Sequence, residues 1–440
     1  MQLTIESMTY GPDGLAHLDT GKAVFVAGGV VGDVVEAHLV EDGASFARAA
    51  VDEVAAPSPQ RAATTPCPFI DACGGCPWGA LSYEAQLAAK EENLRSNLAR
   101  IGRFSAEEVE ALVQPIRPAR DQWGYRNKIE LAPVHEGGHF ALGMHGREPE
   151  RVIRVKRCPL FEKQQAKAVK AVAGALGYLG NSRELGLERV GLRASRRTGA
   201  LEVALWTAAG AFPRAQVARV LGDAVAATSI VRVMSKGAPK ARKIAGVEVL
   251  AGEGSWTEQL GEELMRVSAP SFFQVNTAGA RELVHLVLEA LDPQPDELAI
   301  DLYSGAGTFT LPLARRCDWV AAVESYGPAV RDLRRNLERA QLGNVDVIGG
   351  DAVREFPDQD ADVLVVDPPR AGLAREAVDL IAQTSARDVA YVSCDPATLA
   401  RDLRRFCDEG TFAPVSAVPV DLFPQTFHCE TVAHLTRTGR

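Results

Sequence analysis

No stretch of the chain approaches the roughly 20 consecutive apolar residues a bilayer-spanning helix needs. The first residues, MQLTIESMTYGPDG, lack a basic start followed by an apolar run. Neither a membrane span nor a membrane partner is expected, and a cytoplasmic enzyme is the default. Cysteine is scarce as well. Eight in 440 residues are too few for a disulfide scaffold, and in a reducing compartment clustered thiols more often bind metal or do chemistry. Long low-complexity tracts and repeats of solenoid type are missing. What remains is ordinary soluble composition, 46% hydrophobic and 24% charged, in a chain too long for one core of usual size, so two or three domains are expected.

Positive charge is in short supply overall. A formal net charge of -9 speaks against a simple nucleic-acid binder, because affinity for polyanions comes largely from Lys and Arg neutralising phosphates. The distribution is uneven, however: residues 117–243 hold 24 Lys+Arg against 10 Asp+Glu. A basic middle between acidic ends fits a localised polyanion surface, with a solvated charged face as the equally weighted alternative.

Three segments emerge. Residues 1–57 read as short alternating strands, LTIESM, AVFVAG, DVVEAHLV and SFARAAVDEV, broken by turns such as Gly11-Pro12-Asp13-Gly14. That pattern predicts a small, OB-like β-barrel; because it is acidic, RNA binding and a purely structural role are equally open for it. Pro57-Ser58-Pro59 has linker composition. Residues 58–262 combine the amphipathic helix YEAQLAAKEENLRSNLARIG with strands KIELAPV, ALEVALW and SIVRVM and a Lys- and Ala-rich helix over about 161–178, a mixed α/β segment that carries the positive charge. In residues 263–440 the strands LAIDLY, WVAAVE, VDVIGG, DVLVVD and DVAYVS alternate with helical stretches such as GPAVRDLRRNLERAQL. Such alternation predicts a parallel, doubly wound, Rossmann-like sheet whose ligands sit beyond the carboxyl ends of its strands.

Chemistry is therefore sought at that edge. Strand LAIDLY runs into Ser304-Gly305-Ala306-Gly307-Thr308, where small residues let a ligand approach the backbone. Glu324, about 20 residues on, could accept both hydroxyls of a ribose. This pair fits NAD as well as S-adenosylmethionine. Cys394 stands between the strand DVAYVS and a helix, where the positive end of the helix dipole favours a thiolate, against the commoner fate of a free cysteine as an inert small hydrophobe. Asp367-Pro368-Pro369-Arg370 ends another strand, which leaves Asp367 at the same rim. Glu430, near the end of DLFPQTFHCE, could act as a general base if its loop reaches that rim. Apart from these, Cys67, Cys73 and Cys76 are spaced C-x5-C-x2-C and Cys158 follows at a distance. Four such thiolates can enclose zinc or an iron-sulfur cluster, and spacing does not choose between them.

Five stretches together, SFFQVN at 271–276, DLYSGAGTFTLPLA at 301–314, DPPRAG at 367–372, SCDPATLARDL at 393–403 and FPQTFHCE at 423–430, resemble the RNA (uracil-5-)-methyltransferase family, whose members methylate C5 of specific uridines in ribosomal or transfer RNA. The resemblance covers nearly the entire chain, since residues 1–57 look like the TRAM barrel of many members. It implies that Gln274, Tyr303, Thr308, Glu324, Asp351 and Asp367 contact S-adenosylmethionine or the target base. It also implies that Phe272 or Phe273 stacks on the uracil, that Asp367 holds the uracil edge, that Cys394 is the nucleophile and that Glu430 is the base. The CGGC pattern resembles members in which Cys67, Cys73, Cys76 and Cys158 would hold a [4Fe-4S] cluster. The radical-type spacing C-x3-C-x2-C is absent, so no radical chemistry is assigned to it.

An RNA partner follows, 23S rRNA by preference and tRNA as the alternative, and the family suggests a monomer. Ser304 and Cys429 depart from residues common among relatives. Two competing readings explain less. A non-catalytic RNA-binding protein with a redox-sensing cluster needs neither Cys394 nor Glu430, and an NAD-linked oxidoreductase accounts neither for FPQTFHCE nor for the cysteines.

Overall fold

The computed structural model describes residues 1–148, 150–181, 184–237, 243–358 and 360–439. At the N-terminus lie β1 (Gln2–Thr4), β2 (Ser7–Met8), β3 (Gly14–His17), β4 (Ala23–Ala27), β5 (Val34–Asp42) and β6 (Phe46–Ala56), ordered β1-β5-β6-β4-β3-β2. β1 and β2 are halves of one bent strand: β1 pairs with β5 and β2 with β3. Between them Ile5 N–H donates to the Asp33 carbonyl and Glu6 N–H to that of Leu15, so the sheet closes on itself. Alternate residues, among them Val24 and Val26 of β4 and Ala47 and Ala49 of β6, fill its interior, as a period of two requires. The Pro-rich stretch behind it is tied down. Buried Asp33 accepts from Ser58 N–H at 2.9 Å and from the Arg61 guanidinium at 2.7 and 2.9 Å.

The next segment opens with α1 (Tyr83–Arg100) and α2 (Ala106–Leu112). Ser82 and Ser105 cap these helices by accepting from Ala85 and Glu108 N–H. Their apolar faces, Leu94, Leu98, Val109 and Leu112, join the core of the C-terminal sheet rather than that of the central one. The central sheet comprises β7 (Lys128–Glu136), β8 (His139–His145), β9 (Val152–Arg154), β10 (Leu187–Ala194), β11 (Leu201–Ala208), β12 (Ser229–Lys236) and β13 (Lys243–Gly252), ordered β13-β12-β11-β10-β7-β8-β9. α3 (Ala168–Gly180) and α4 (Arg214–Ala224) pack on it. The helix expected from about 161 starts only at Ala168. Glu162 captures the Gln164 N–H and the Arg196 guanidinium, which holds 163–165 in a 3-10 turn.

A hairpin of β14 (Trp256–Leu260) and β15 (Glu263–Val267) precedes α5 (Thr277–Leu291). The C-terminal sheet follows: β16 (Leu298–Leu302), β17 (Trp319–Glu324), β18 (Val345–Gly349), β19 (Val363–Val366), β20 (Asp388–Ser393), β21 (Phe412–Val420) and β22 (Glu430–Arg437), ordered β18-β17-β16-β19-β20-β22-β21. Five strands are parallel, as their alternation with α6 (Thr310–Ala314), α7 (Gly327–Ala340), α8 (Arg375–Gln383) and α9 (Pro396–Glu409) predicts. The last two form an antiparallel pair that the alternation did not foretell. Both faces are covered. Val363 and Val365 pack toward α5, whereas Leu364 and Val366 pack toward α8 and α9, which is why these strands read as unbroken apolar runs. Among the described residues no helix is long and apolar enough to cross a membrane.

Candidate active site

Parallel strands bring their carboxyl ends to one rim. β22 runs the other way, so its first residue lies at that rim too, and its register, with Ser393 opposite Thr431, sets Glu430 against Cys394. The rim thus carries two groups. Tyr303, Glu324 and Asp351 follow or end β16, β17 and β18, and Asp367, Cys394 and Glu430 follow or begin β19, β20 and β22. Thr308 lies in the turn between β16 and α6, half-exposed.

Gly305 N–H donates to Glu324 Oε2 at 2.9 Å, and Tyr326 N–H to Oε1 at 2.5 Å, so the carboxylate is locked across the turn. The turn itself requires left-handed backbone: φ is 65° at Tyr303, 57° at Gly305 and 102° at Gly307. A side chain at Gly307 would strike Leu311 and Leu333 within 2.8 Å, so only glycine fits there. Asp351 caps its own loop through Val353 and Arg354 N–H. Phe272 and Phe273 diverge. Phe273 is 4% exposed and packs edge-on against Trp256 with ring centres 5.5 Å apart, while Phe272 is 66% exposed. Of the two, only Phe272 has a free face. Gln274 is buried with Oε1 unpartnered, its backbone held by Asn127 Nδ2 at 2.8 Å.

The carboxylates behind the rim are crowded: Glu430 and Asp301 are buried and Asp367 is half-buried. Burial pushes Glu430 up to about 8, helped by Asp367 and opposed by Arg370. Burial also pushes Asp367 up to about 7. Asp301, one residue inside β16, is pushed up to about 8 by burial first, then by Asp367 and Glu324, against its hydrogen bond from Thr310. Cys394 departs from the sequence expectation. Burial, with Glu430, Asp367 and Asp395 adding to it and Arg370 opposing, pushes its thiol up to about 12. The helix dipole does not rescue it, because Asp395 already takes the first free N–H groups of α9, those of Ala397 and Thr398, at 3.0 Å each. A negative cap therefore sits at the helix end beside the sulfur.

Raised carboxylates set the direction of a pH effect. Unfolded Asp and Glu ionise near 4, whereas folded Glu430 and Asp367 keep their protons to about 8 and about 7. Stability of the ligand-free protein should therefore fall as pH rises from about 4 to about 8 and level off above it. Urea unfolding across that range checks this, and Glu430→Gln should flatten the slope; an unaltered slope in the variant would mean that Glu430 ionises normally.

Residues 421–429 form an irregular loop, yet it is gripped from behind. Lys90, wholly buried, donates to Asp421 Oδ1 at 2.5 Å and to the Phe423 carbonyl at 3.1 Å. Tyr83 donates to Asp421 Oδ2 at 2.8 Å. Gln86 and Gln425 exchange two hydrogen bonds, at 2.7 and 3.1 Å. Trp78 N–H and the Tyr125 hydroxyl donate to the carbonyls of Gln425 and Pro424. Removing one partner of a buried pair leaves a charge stranded, at a cost of about 3–5 kcal/mol. Lys90→Met is expected to lose about that much in urea denaturation, and Lys90→Met with Asp421→Leu much less; a single-variant loss below about 1 kcal/mol would show that the pair does not hold the loop.

Sequence reasoning missed several of these groups. Asp301 had a signal, an acid inside the apolar run LAIDLY, and so did Lys90, a charge on the buried face of α1. Arg370 stands in the quoted DPPR and brings a guanidinium nitrogen within 3.3 Å of His428 Nε2. His428 is itself pushed down to about 4 by burial and by Arg370, so it is neutral at ordinary pH. Tyr10, whose hydroxyl reaches the Cys394 carbonyl, had no local signal.

The four cysteines are free thiols that line one largely apolar cavity with Phe69, Met144 and Leu160, and Arg126 and Arg157 beside them. Burial raises Cys67, Cys76 and Cys158, Cys76 to about 12. Among the described residues no three His, Cys, Asp or Glu side chains gather as they would around a single metal ion.

Residues 261–438 match the family model described as tRNA (Uracil-5-)-methyltransferase. The chain is 34% identical to an uncharacterized RNA methyltransferase of Thermosynechococcus vestitus over 99% of its own length and 98% of the relative's. It is also 34% identical to one of Gloeobacter violaceus, over 99% and 96%. Its fold matches the crystal structure of Pyrococcus abyssi tRNA (uracil-54, C5)-methyltransferase in complex with S-adenosyl-L-homocysteine, with a TM-score of 0.77 and 25% identity, covering 99% of both chains. With the family model on the C-terminal sheet and full-length relatives and fold beyond it, the chain belongs to the RNA (uracil-5-)-methyltransferase family and is an enzyme of that class.

Proposed function

We propose that the protein transfers a methyl group from S-adenosylmethionine to C5 of one uridine through a covalent bond between Cys394 and C6. The observation that carries this reading is the convergence of Cys394, Glu430 and Asp367 at one rim, imposed by the pairing of β20 with β22. Uracil C5 is a poor nucleophile, so the Cys394 thiol must first give up its proton to solvent and add as the thiolate at C6. The C5–C6 π electrons then move onto the C4 carbonyl, giving an enolate. S-adenosylmethionine, when bound, supplies the electrophilic methyl. After methylation Glu430, in its ionised form, takes the C5 proton, the C5–C6 double bond re-forms and the Cys394 sulfur leaves as the thiolate.

The remaining residues hold the reactants. Asp367, kept largely protonated by burial up to about pH 7, can donate to a uracil oxygen. Phe272 offers a free ring face for stacking, which an extruded base needs. Tyr303, Thr308, Glu324 and Asp351 would hold the cofactor, Glu324 by its ribose. Gln274, with its buried Oε1 unpartnered, would meet cofactor or base.

Residues 1–57, 58–262 and 263–440 are read as a TRAM-like barrel, an RNA-binding segment and the methyltransferase proper. Cys67, Cys73, Cys76 and Cys158 fit a [4Fe-4S] cluster. Four free thiols line one largely apolar cavity, Gly75 N–H points at Cys73 Sγ from 3.4 Å, and four cysteine thiolates are the ligand set such a cluster takes. When bound, it would tie the 67–78 loop to the central sheet and so brace Trp78 behind the 421–429 loop.

The target is read as a uridine of 23S rRNA. The fold match to the Pyrococcus abyssi tRNA (uracil-54, C5)-methyltransferase favours tRNA as the second reading. Labelled S-adenosylmethionine with 23S rRNA and tRNA transcripts, followed by mapping of 5-methyluridine, decides between them; a folded, cofactor-binding protein that labels neither would overturn the reading.

A further inference from the structure

The N-terminal barrel is acidic, which weakens it as a grip on RNA, yet one of its turns reaches the reacting groups. The Thr9–Asp13 turn is tightened by Thr9 Oγ1 donating to the Asp13 carbonyl at 2.7 Å. It is held against the rest of the chain by Trp78 Nε1 on the Gly11 carbonyl at 2.9 Å and by Asn93 Nδ2 on that of Met8 at 3.3 Å. From this turn Tyr10 projects. Its ring meets Phe427 edge-on at 5.6 Å and His428 at 6.4 Å. Its hydroxyl donates to the backbone carbonyl of Cys394 at 2.8 Å, across 384 residues of sequence.

That carbonyl needs a partner from elsewhere. β20 ends at Ser393, and the first hydrogen bond of α9 is made to the carbonyl of Asp395, from Leu399 N–H. The Cys394 peptide therefore falls between the sheet ladder and the helix ladder, and neither fixes it. On its N–H side the peptide is held by Ser393 Oγ, which accepts from Asp395 N–H at 3.2 Å; without a partner on the carbonyl side it could tilt, and with it the direction in which the sulfur points. We propose that Tyr10 is a positioning residue of the methyl-transfer reaction: its hydroxyl, delivered by the N-terminal barrel, locks the Cys394 peptide so that the sulfur faces the target base.

This assignment rests on the reading of Cys394 as the nucleophile. It also gives the barrel a part in the active site that requires no contact with RNA. The phenol is suited to the task, since burial and the neighbouring Asp395 raise it far above its ordinary value, so it stays a neutral donor throughout the working pH range.

The test is the rate of covalent adduct formation with 23S rRNA and tRNA transcripts made with 5-fluorouridine, at saturating S-adenosylmethionine. Tyr10→Phe keeps the ring and removes the donor. It is expected to slow adduct formation by about 10- to 100-fold, the scale on which small misplacements act. Affinities for RNA and S-adenosylmethionine should stay within about twofold, and the rate profile from about pH 6 to about pH 9 should be lowered evenly. Thr9→Val, which loosens the same turn by one hydrogen bond, should give a smaller loss of the same kind and serves if Tyr10→Phe folds poorly. An unchanged rate in the two variants would overturn the proposal. So would a loss matched by an equal loss of RNA affinity, which would make the barrel an RNA grip, or a loss confined to one limb of the pH profile, which would make Tyr10 an acid or base. Cys394→Ala run beside them separates the two readings: an adduct in that variant overturns the nucleophile itself, whereas its absence together with a normal Tyr10→Phe rate overturns only the positioning role.

Discussion

Cys394→Ala is expected to lower methyl transfer by about 10⁴-fold or more while RNA and S-adenosylmethionine bind within about twofold of the wild type. The size follows from the chemistry. Without addition at C6 the pyrimidine has no carbanion-like C5, and no amount of positioning supplies one. Binding should survive because the sulfur is one small, half-buried group, while Glu324, Tyr303 and Phe272 are untouched by its loss. Wild-type protein given S-adenosylmethionine and a 5-fluorouridine transcript should form one denaturation-resistant adduct per chain, since C5 then carries no removable proton, and Cys394→Ala should form none. Methylation in the variant at more than a few per cent of the wild-type rate would remove this residue from the mechanism. The resting thiol is held protonated, with a pKa pushed up to about 12. The step that consumes it must therefore be helped by changes on binding, and Arg370, the cation that opposes the shift, is the group placed to help.

How much of this could be read in advance divides along a physical line. The parallel sheet was legible because strands buried on both faces must be apolar at every position, and Val363 to Val366 are. The rim chemistry was legible because strand ends in such a sheet share an edge, so Asp367 after β19 and Cys394 after β20 had to be neighbours. Glu430 was harder: it reaches the rim only because β22 runs antiparallel, which no alternation of strand and helix announces, and it was found through the motif around it. Local reasoning also misjudged the cysteine. A thiol before a helix was expected to gain from the dipole, but Asp395 caps that helix and Glu430 faces the sulfur from another strand. Phe272 and Phe273 could not be told apart until the hairpin β14–β15 placed Trp256 behind the second. Tyr10 lay beyond reach altogether, because a contact across 384 residues leaves no trace in the spacing of its own neighbours. Sequence speaks of what a residue's own element requires; it is silent where two distant elements meet.

Glu430→Gln should stop the reaction at a different place. With no base to take the C5 proton, methylation can occur once and the Cys394–C6 bond then cannot break. Turnover is expected to fall by about 10²- to 10⁴-fold, the usual worth of a positioned base. The protein should meanwhile accumulate as a denaturation-resistant complex with ordinary RNA, carrying one labelled methyl group per chain. The environment argues for this order of events. Glu430 has one oxygen without a partner, and its proximity is among the causes that raise the Cys394 thiol. Glu430 keeps its proton to about pH 8, so at neutral pH a neutral amide changes the charge facing the sulfur little; addition of the sulfur should be no slower in the variant and only release should fail. A second possibility makes the opposite forecast. If Glu430 first accepts the thiol proton, which its own pKa, pushed up to about 8, brings closer to the sulfur's, then Glu430→Gln would slow adduct formation itself and no labelled complex would build up. Gel retention under denaturing conditions, read with cofactor labelled in the methyl group, separates the two: a methylated complex places Glu430 after methyl transfer, and a variant that neither turns over nor accumulates one places it before.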